Sequence, residues 1–177
     1  MLKPTKNPQI EELTKSYKER RINLGDLTIE GRKCVWCLGP LKGRQQKWCS
    51  SECTDSAFAW ANPQKEAGLQ LLLSRQNWKC ALCQYDYRPA LESALRSINR
   101  YHRTIDPTTV DTKFSFHLMR FFKWSVPKAH RPEVDHIQPI YKGGQPLGFD
   151  NHQAICYPCH KGKTKVDNSG PRKKNEK

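Results

Sequence analysis

Hydrophobic residues recur at helical spacing in four segments of the chain. Near the start, Ile10, Leu13 and Tyr17 share one helical face and predict a helix over about residues 8 to 22. The other three segments carry apolar residues on one face in the same way: Cys53, Ala57, Trp60 and Ala61; Leu69, Leu72 and Leu73; Leu91, Leu95 and Ile98. Each segment therefore predicts an amphipathic helix that buries one face.

A different spacing occurs in the segment KFSFHLMRFFKW, where Phe114, Phe116 and Leu118 alternate with polar neighbours. Alternation of this kind is typical of a strand with one buried face. We predict that this segment is a strand that joins the core. Stacking of its aromatic side chains on nucleic-acid bases is the less favoured interpretation.

Composition changes the picture, because a hydrophobic content of 36% is low for a chain that relies on a core alone. Small modules with thin cores commonly use metals or disulfides, and this chain has 8 cysteines. No signal-peptide pattern or membrane-spanning segment is evident, which predicts an intracellular protein, cytoplasmic or, in a eukaryote, nuclear. Thiols stay reduced there, so metal ligation is favoured, although an even number of cysteines leaves disulfides open.

Two cysteine pairs lie close together in the segment CVWCLGPLKGRQQKWCSSEC and supply the four thiolates of a tetrahedral structural zinc site. The predicted ligands are Cys34, Cys37, Cys49 and Cys53. Because the second pair leads into a predicted helix, the arrangement is treble-clef-like. We assign residues 1–62 to an N-terminal helix and this zinc module.

A further C-x-x-C pair, Cys80 and Cys83, has no partner pair nearby. The nearest remaining thiolates are Cys156 and Cys159, and pairing them gives two sites of four with no cysteine left over. Such a site is closed and leaves no open position for substrate, as structural zinc sites do. Residues 84–130 form an insert between its two halves.

The formal net charge of +14 and the pI of about 9.6 exceed what solubility requires. They point to a polyanionic partner, for which nucleic acid is the leading choice. Arg96, Arg100 and Arg103 follow at i, i+4 and i+7 on the insert helix. This pattern fits a DNA-contacting stripe and an ordinary solvated face equally well. Residues 167–177 resemble a basic, disordered tail.

Four residues have no structural role in the segment EVDHIQPIYKGGQPLGFDNHQAICYPCHKGKT: Asp135, His136, Asn151 and His160. Asp135 and His160 offer an oxygen and an imidazole to a divalent ion that keeps positions open for water or substrate. His136 can be neutral near physiological pH and accept a proton from water. The neighbouring zinc clamps the helix that carries His160. His152 is expected to have no role in the site, because on a strand its side chain points to the face opposite that of Asn151.

These residues resemble the HNH nucleases of the ββα-metal, or His-Me finger, superfamily. The matching elements are Asp135-His136 with Ile137 and Pro139, Gly143-Gly144, Asn151, and the closing Cys156, Cys159, His160, Lys163 and Thr164. The similarity is to the branch in which two C-x-x-C pairs bracket the motif. The insert looks longer than in compact members of the family, which leaves the choice of substrate open.

The resemblance implies an α+β fold. Its core is a two-stranded hairpin from Pro132 to about Asn151, crossed by a helix from about Tyr157 to Lys165. Together with the N-terminal module, this describes a small zinc-stabilised protein with a ββα-metal (HNH) core. The nuclease domain is expected at residues 63–166.

By the roles of the family, His136 is the general base that activates water, and Asp135 and His160 bind one catalytic divalent ion. Asn151 braces the loop and holds His136 in its productive orientation. Mg²⁺ or Mn²⁺ is the expected ion, with Zn²⁺ or Ni²⁺ as alternatives, in addition to two structural Zn²⁺ ions. Lys163 and Lys161 are candidates for phosphate contacts.

The leading hypothesis is a metal-dependent endonuclease that hydrolyses DNA phosphodiester bonds by nicking or double-strand cleavage. The main alternative is a non-catalytic, zinc-stabilised DNA-binding module. A third interpretation, an RNA nuclease or RNA-binding zinc protein, shares the charge but lacks a recognisable RNA-binding motif. DNA is the expected partner and no membrane contact is expected, whereas the pattern leaves monomer and homodimer open.

Overall fold

Helices dominate the structure, a computed structural model that describes residues 7–10, 27, 29–99 and 112–169. Its elements in chain order are α1 (Ser51–Ala61), α2 (Glu66–Arg75), α3 (Arg88–Asn99), α4 (Thr112–Ser125), β1 (Pro132–His136), β2 (His152–Cys156) and α5 (Tyr157–Asn168). Short 3-10 turns at Lys128–His130 and Ile140–Lys142 flank β1. The predicted α+β class with a small sheet is therefore confirmed.

The N-terminal helices form where the hydrophobic spacing predicts them. The Ser50 side chain accepts a hydrogen bond from the Cys53 amide and so caps α1, whose buried face includes Ala57 and Trp60. α2 buries the predicted leucines together with Leu71. Of the helix predicted over residues 8 to 22, Pro8–Ile10 are helical, and the remainder lies outside the described residues.

The insert contains a helix where we predicted a strand. Residues 112–125 form α4, and the prediction of a strand in KFSFHLMRFFKW was wrong. Its fully buried side chains are Leu118, Met119 and Phe122, with Val126 just beyond the end, and this spacing is helical. The alternation at Phe114, Phe116 and Leu118 misled the prediction because Phe116 is 51% exposed and so does not belong to a buried face.

α4 packs against α3 and α2 to build the larger of the two main cores. The predicted helix through Leu91, Leu95 and Ile98 is confirmed over Arg88–Asn99, with Ile98 fully buried. Tyr87 is also fully buried, and its hydroxyl donates a hydrogen bond to the His130 carbonyl at 3.0 Å. The core thus connects the two ends of the insert.

β1 and β2 form an antiparallel hairpin in which Asp135 pairs with Gln153 and His136 with His152. The second strand begins after Asn151 rather than ending there, so our hairpin boundary was too early. The Gln76 side chain, from the end of α2, bonds both the amide and the carbonyl of Ala154, at 2.7 and 2.8 Å. α5 follows β2 without a loop and runs three residues beyond the predicted Lys165.

The smaller core lies around the N-terminal cysteines and includes Trp36, Trp60 and Leu147. Leu147 comes from the loop between β1 and β2 and is 1% exposed. Beside it, the Gly148 amide donates to the Trp60 carbonyl at 3.3 Å. The loop of the hairpin and the N-terminal module therefore share one hydrophobic cluster, across the boundary that we place at residue 62.

Among the described helices, none has the length and apolar character needed to cross a membrane.

Candidate active site and zinc centres

Four cysteine sulfurs meet in the N-terminal module, at a site that we call the N-terminal centre: Cys34, Cys37, Cys49 and Cys53. All four lie within 4.8 Å of one another, with 3.4 Å between Cys37 and Cys49 and 3.6 Å between Cys49 and Cys53. A tetrahedral zinc with Zn–S bonds of about 2.3 Å holds its sulfurs about 3.8 Å apart. The cluster is therefore compatible with structural zinc.

A second group of four sulfurs, the core centre, joins distant parts of the chain: Cys80, Cys83, Cys156 and Cys159. These sulfurs also lie within 4.8 Å of one another, and those of Cys83 and Cys156 are 3.6 Å apart. The Cys156 amide donates to the Cys80 sulfur at 3.3 Å. The structure thus brings together the two C-x-x-C pairs that the sequence pairs by count.

Each centre contains a thiol whose pKa is lowered from its ordinary value. Burial raises the pKa of the Cys80 thiol, but backbone hydrogen bonds, led by those from Cys83 and Cys156, outweigh it and lower the pKa to about 7. The pKa of Cys34 falls to about 7 by the same balance of burial and backbone hydrogen bonds. Because thiolate is the form that binds zinc, Cys34 and Cys80 are the more easily ionised ligands, whereas burial raises the pKa of Cys49 and Cys156 in the same two groups.

The core centre places the first turn of α5 beside β1. Glu133 and Asp135 share one face of β1 because side chains alternate along a strand, and His160 of α5 lies against that face. His160 Nε2 is 3.8 Å from Asp135 Oδ1, while its Nδ1 contacts the Glu133 carboxylate. The two predicted metal ligands are therefore neighbours, and Glu133 fixes the other side of the imidazole.

Lys163, one turn further along α5, reaches into the same site. Its ammonium lies 3.0 Å from Asp135 Oδ2 and 2.6 Å from Asp167 Oδ2. Burial lowers the pKa of Lys163, but these carboxylates, led by Asp167, outweigh it and raise the pKa above its usual value. Lys163, the predicted phosphate contact, thus forms ion pairs with both Asp135 and Asp167 at the edge of the site.

Asn151 fastens the loop that begins directly after His136. Its side-chain oxygen accepts from the Gln138 amide at 2.8 Å, and its side-chain nitrogen donates to the carbonyls of Gln138 and Gln145 at 2.9 and 2.8 Å. We call these three hydrogen bonds the Asn151 lock. Gly144 packs directly against it, since a Cβ there would overlap the Gln138 carbonyl oxygen and lie 2.6 Å from Asn151 Nδ2. Asn151 therefore bonds the loop backbone at Gln138 and Gln145, and its predicted role in orienting His136 stays a prediction.

His152, for which we expected no role in the site, lies beside His136. The two are direct cross-strand partners, and their ring centroids are 4.3 Å apart. Burial lowers the pKa of His152 to about 4, and the neighbouring His136 contributes to the same shift. His152 is 4% exposed and so presents a neutral, apolar-like ring to the flank of His136.

A cleft of about 580 Å³ opens onto these groups. Glu133, Asp135, His136 and His160 line one side, and Gln64 and Lys123 contribute to the rest of its wall. Gln64 belongs to the connection between α1 and α2, and Lys123 to α4. A second cavity of about 330 Å³ lies on the flank that His136 shares with His152. The cleft gives His136, Asp135 and His160 a common opening to solvent.

Two other predicted nucleic-acid contacts, Lys161 and Arg96, do not line this cleft. Lys161 is exposed on α5. Arg96 is exposed on α3, 4.0 Å from Glu92, and Arg100 and Arg103 lie outside the described residues. Their roles stay predictions.

Sequence reasoning did not single out Glu133 or Asp167, and it gave His152 no role in the site. Glu133 carried a readable signal, because it stands two residues before Asp135 on the same strand face. His152 and Asp167 carried none, since their importance depends on the hairpin register and on the rotation of α5.

Comparison with known proteins agrees with this geometry. Residues 120–165 match the sequence model of the HNH endonuclease family. The mouse protein "DNA annealing helicase and endonuclease ZRANB3" is 24% identical over 172 residues, which cover 91% of this chain and 16% of the mouse protein. The human protein of the same name is 23% identical over 139 residues, which cover 74% of this chain and 13% of the human protein. No solved structure matches the chain.

The chain thus spans about a sixth or less of the length of the curated relatives it matches. The family match begins inside α4 and ends within α5, so it covers the hairpin, the Asn151 lock and His160. The cysteines of the N-terminal centre lie before it. The resemblance predicted from the sequence is confirmed in that residues 120–165 match the HNH endonuclease family, and the chain also carries two four-cysteine groups compatible with zinc.

Proposed function

We propose that this protein is a metal-dependent endonuclease that hydrolyses phosphodiester bonds in DNA. The observation that carries the proposal is the 3.8 Å approach of His160 Nε2 to Asp135 Oδ1, at the mouth of a cleft that His136 also lines. An oxygen donor, an imidazole donor and a candidate general base thus converge from two adjacent elements. The match of residues 120–165 to HNH endonucleases supports the same activity.

The donor set fits a divalent ion. Ligand bonds of about 2.1 Å can bridge two atoms up to about 4.2 Å apart, and the Asp135–His160 separation falls within that reach. The Glu133 carboxylate at His160 Nδ1 directs Nε2 toward the cleft, as outer carboxylates do for metal-binding histidines. A bound ion would stabilise the charge that develops on the scissile phosphate and the departing 3′ oxygen.

His136 is the candidate base, because it follows Asp135 in the strand and lines the cleft. Taking a proton from water there prepares the nucleophile that attacks phosphorus, which leaves a 5′-phosphate and a 3′-hydroxyl. His152 limits the space on one side of the His136 ring, and the Asn151 lock fixes the backbone that follows it. These contacts hold the imidazole on the cleft side.

DNA is the proposed substrate. The formal net charge of +14 favours a polyanion, and the name of the two relatives describes a DNA annealing helicase and endonuclease. When a divalent ion binds Asp135, Lys163 keeps Asp167 as its ion-pair partner. The Lys163 ammonium is then positioned to contact a phosphate of the DNA. Lys161 lies on the same helix and is exposed.

Cleavage of supercoiled plasmid with added Mg²⁺ or Mn²⁺ tests the proposal. We expect nicked and then linear DNA from the wild type, and a loss of at least about 100-fold for His136→Ala, the scale of a general base. The matched control is His117→Ala, which removes an exposed histidine of α4 and should cut normally.

Unchanged cleavage by His136→Ala would show that another group is the base. A wild-type protein that binds plasmid but cuts with neither ion would contradict the endonuclease and favour the non-catalytic DNA-binding module. A specific feature makes that alternative concrete: Lys163 already neutralises Asp135 at 3.0 Å.

A further inference from the structure

α4 exposes two large aromatic side chains on one face. Phe116 is 51% exposed and Trp124 is 64% exposed. Arg120 stands between them at spacings of four residues, so the three lie in one row along the helix. We call this row the α4 stripe. Exposing two large rings forgoes the gain from burying them, which makes a contiguous aromatic row a candidate binding surface.

The Trp124 ring of the α4 stripe is held in place. The Arg120 guanidinium lies 5.0 Å from the centroid of the Trp124 ring. Phe121, half-buried in the core, meets the Trp124 ring edge to face at 5.7 Å and 84°. Trp124 therefore stands on a support of fixed geometry and presents an indole to solvent with a cation beside it.

The α4 stripe ends next to the candidate active site. Lys123, the residue before Trp124, lines the 580 Å³ cleft together with Asp135, His136 and His160. Its ammonium lies 3.5 Å from Glu66, which holds it at the cleft wall. A chain lying along the stripe toward Trp124 would thus reach the cleft at Lys123.

We propose that the α4 stripe is a stacking platform for an unpaired strand of DNA, which it leads into the cleft. The inference rests on the proposed function for its choice of DNA and deepens it by naming the substrate class. Aromatic side chains and arginine bind unpaired bases by stacking and by cation–π attraction, with little dependence on sequence.

Charge complementarity favours this occupant. The sequence of α4, TKFSFHLMRFFKWS, contains no acidic residue. In a duplex each base face is covered by the neighbouring base pairs. A duplex could therefore bring its phosphates to the cations of the stripe, but it would leave the exposed rings of Phe116 and Trp124 without a stacking partner. A second copy of this chain carries the same charge of +14 and would be repelled. An unpaired strand satisfies both the rings and the cations of the stripe.

Fluorescence anisotropy with labelled oligothymidine and with a hairpin duplex, without added divalent ion, tests the platform. We expect Trp124→Ala and Phe116→Ala each to weaken oligothymidine binding about fivefold or more, the scale of one lost base stack, and to change duplex binding far less. Trp124→Phe should retain most of the affinity. Phe58→Ala, which removes a phenylalanine of α1 that is 48% exposed, is the matched control and should bind normally.

Equal losses on oligothymidine and duplex would overturn the proposal, as would unchanged binding by folded Trp124→Ala protein. A dimer in light scattering that dissociates in Trp124→Ala would assign the stripe to contacts between copies and overturn it too. The readout is separate from cleavage. A wild type that never cuts plasmid, but whose oligothymidine binding depends on Trp124, would reject the endonuclease and keep the platform.

Discussion

The two cysteine centres share one local design but close very different lengths of chain. In both, the amide of the first cysteine bonds a carbonyl five residues ahead, Cys34 to Gly39 at 2.7 Å and Cys80 to Tyr85 at 3.0 Å. In both, the residue after the second cysteine has a positive φ, 58° at Leu38 and 62° at Gln84. Each centre is completed by a cysteine in the first turn of a helix.

The difference lies in what each centre closes. Cys37 and Cys49 are 12 residues apart, whereas Cys83 and Cys156 are 73 apart. A sixfold longer loop costs about 1.5 kcal/mol more chain entropy to close. A zinc ion bound at the core centre would offset that cost and fix α5 to β1, the contact that brings His160 to Asp135. The N-terminal centre organises its own module, so the two centres should fail in different ways.

The largest expected effect is the loss of the core centre. Cys80→Ala leaves three sulfurs and removes most of a zinc affinity that in such sites is worth about 10–16 kcal/mol, comparable to the whole stability of a domain. We expect the nuclease core to unfold. Circular dichroism and the zinc content measured by mass spectrometry check this, against the two ions that we expect per wild-type chain.

Cys34→Ala is the matched variant for the N-terminal centre. It should lose one zinc while the core around Phe122 and Ile155 keeps its helical signal. A Cys80→Ala protein with normal folding and zinc would contradict the assignment of the core centre. Identical behaviour of the two variants would contradict the difference drawn between the centres.

A middle-sized effect is expected where the two regions meet. Leu147→Ala removes a fully buried side chain from the N-terminal cluster and should lower the free energy of unfolding by about 3 kcal/mol. Because Leu147 stands four residues before Asn151, plasmid cleavage should fall as well. Chemical denaturation and the cleavage assay measure the two effects. Val166→Ala, at a side chain 70% exposed on α5, is the control.

The smallest effect concerns pH. Burial holds the pKa of His152 at about 4, below the ordinary 6.5, so the unfolded chain binds the proton more readily. Stability from this group is complete above the unfolded pKa and is lost as pH falls toward the folded pKa. The loss is about 2 kcal/mol between about pH 7 and about pH 5. His152→Leu should flatten this part of the profile in chemical denaturation, and an equally steep profile would show that other groups cause it.

The two groups of four cysteines could be predicted from the sequence, because the C-x-x-C spacing of a zinc knuckle is local. Cys34 and Cys37 can be read as a pair without knowledge of the fold. The partners of Cys80 and Cys83 follow from counting, since no other thiols remain. Asp135 and His160 were recognisable through motif spacing, and the structure brings them to 3.8 Å.

The features that could not be predicted from the sequence depend on tertiary contacts. The pairing of His136 with His152 depends on a register that aligns residues 16 apart. The role of Leu147 depends on the docking of a loop onto another module. α4 was misread because its exposed aromatic residues imitate an alternating pattern, and only the contact with α3 and α2 shows which residues are buried.

The two adjacent glycines of the hairpin loop reject a side chain for different reasons. Gly143 has open space around it but a φ of +92°, so a substitution there strains the backbone. At Gly144 the obstacle is the Gln138 carbonyl itself, which no choice of rotamer avoids. In a library of all single substitutions selected for folded protein, position 143 should therefore tolerate asparagine to some extent, whereas position 144 should tolerate only glycine.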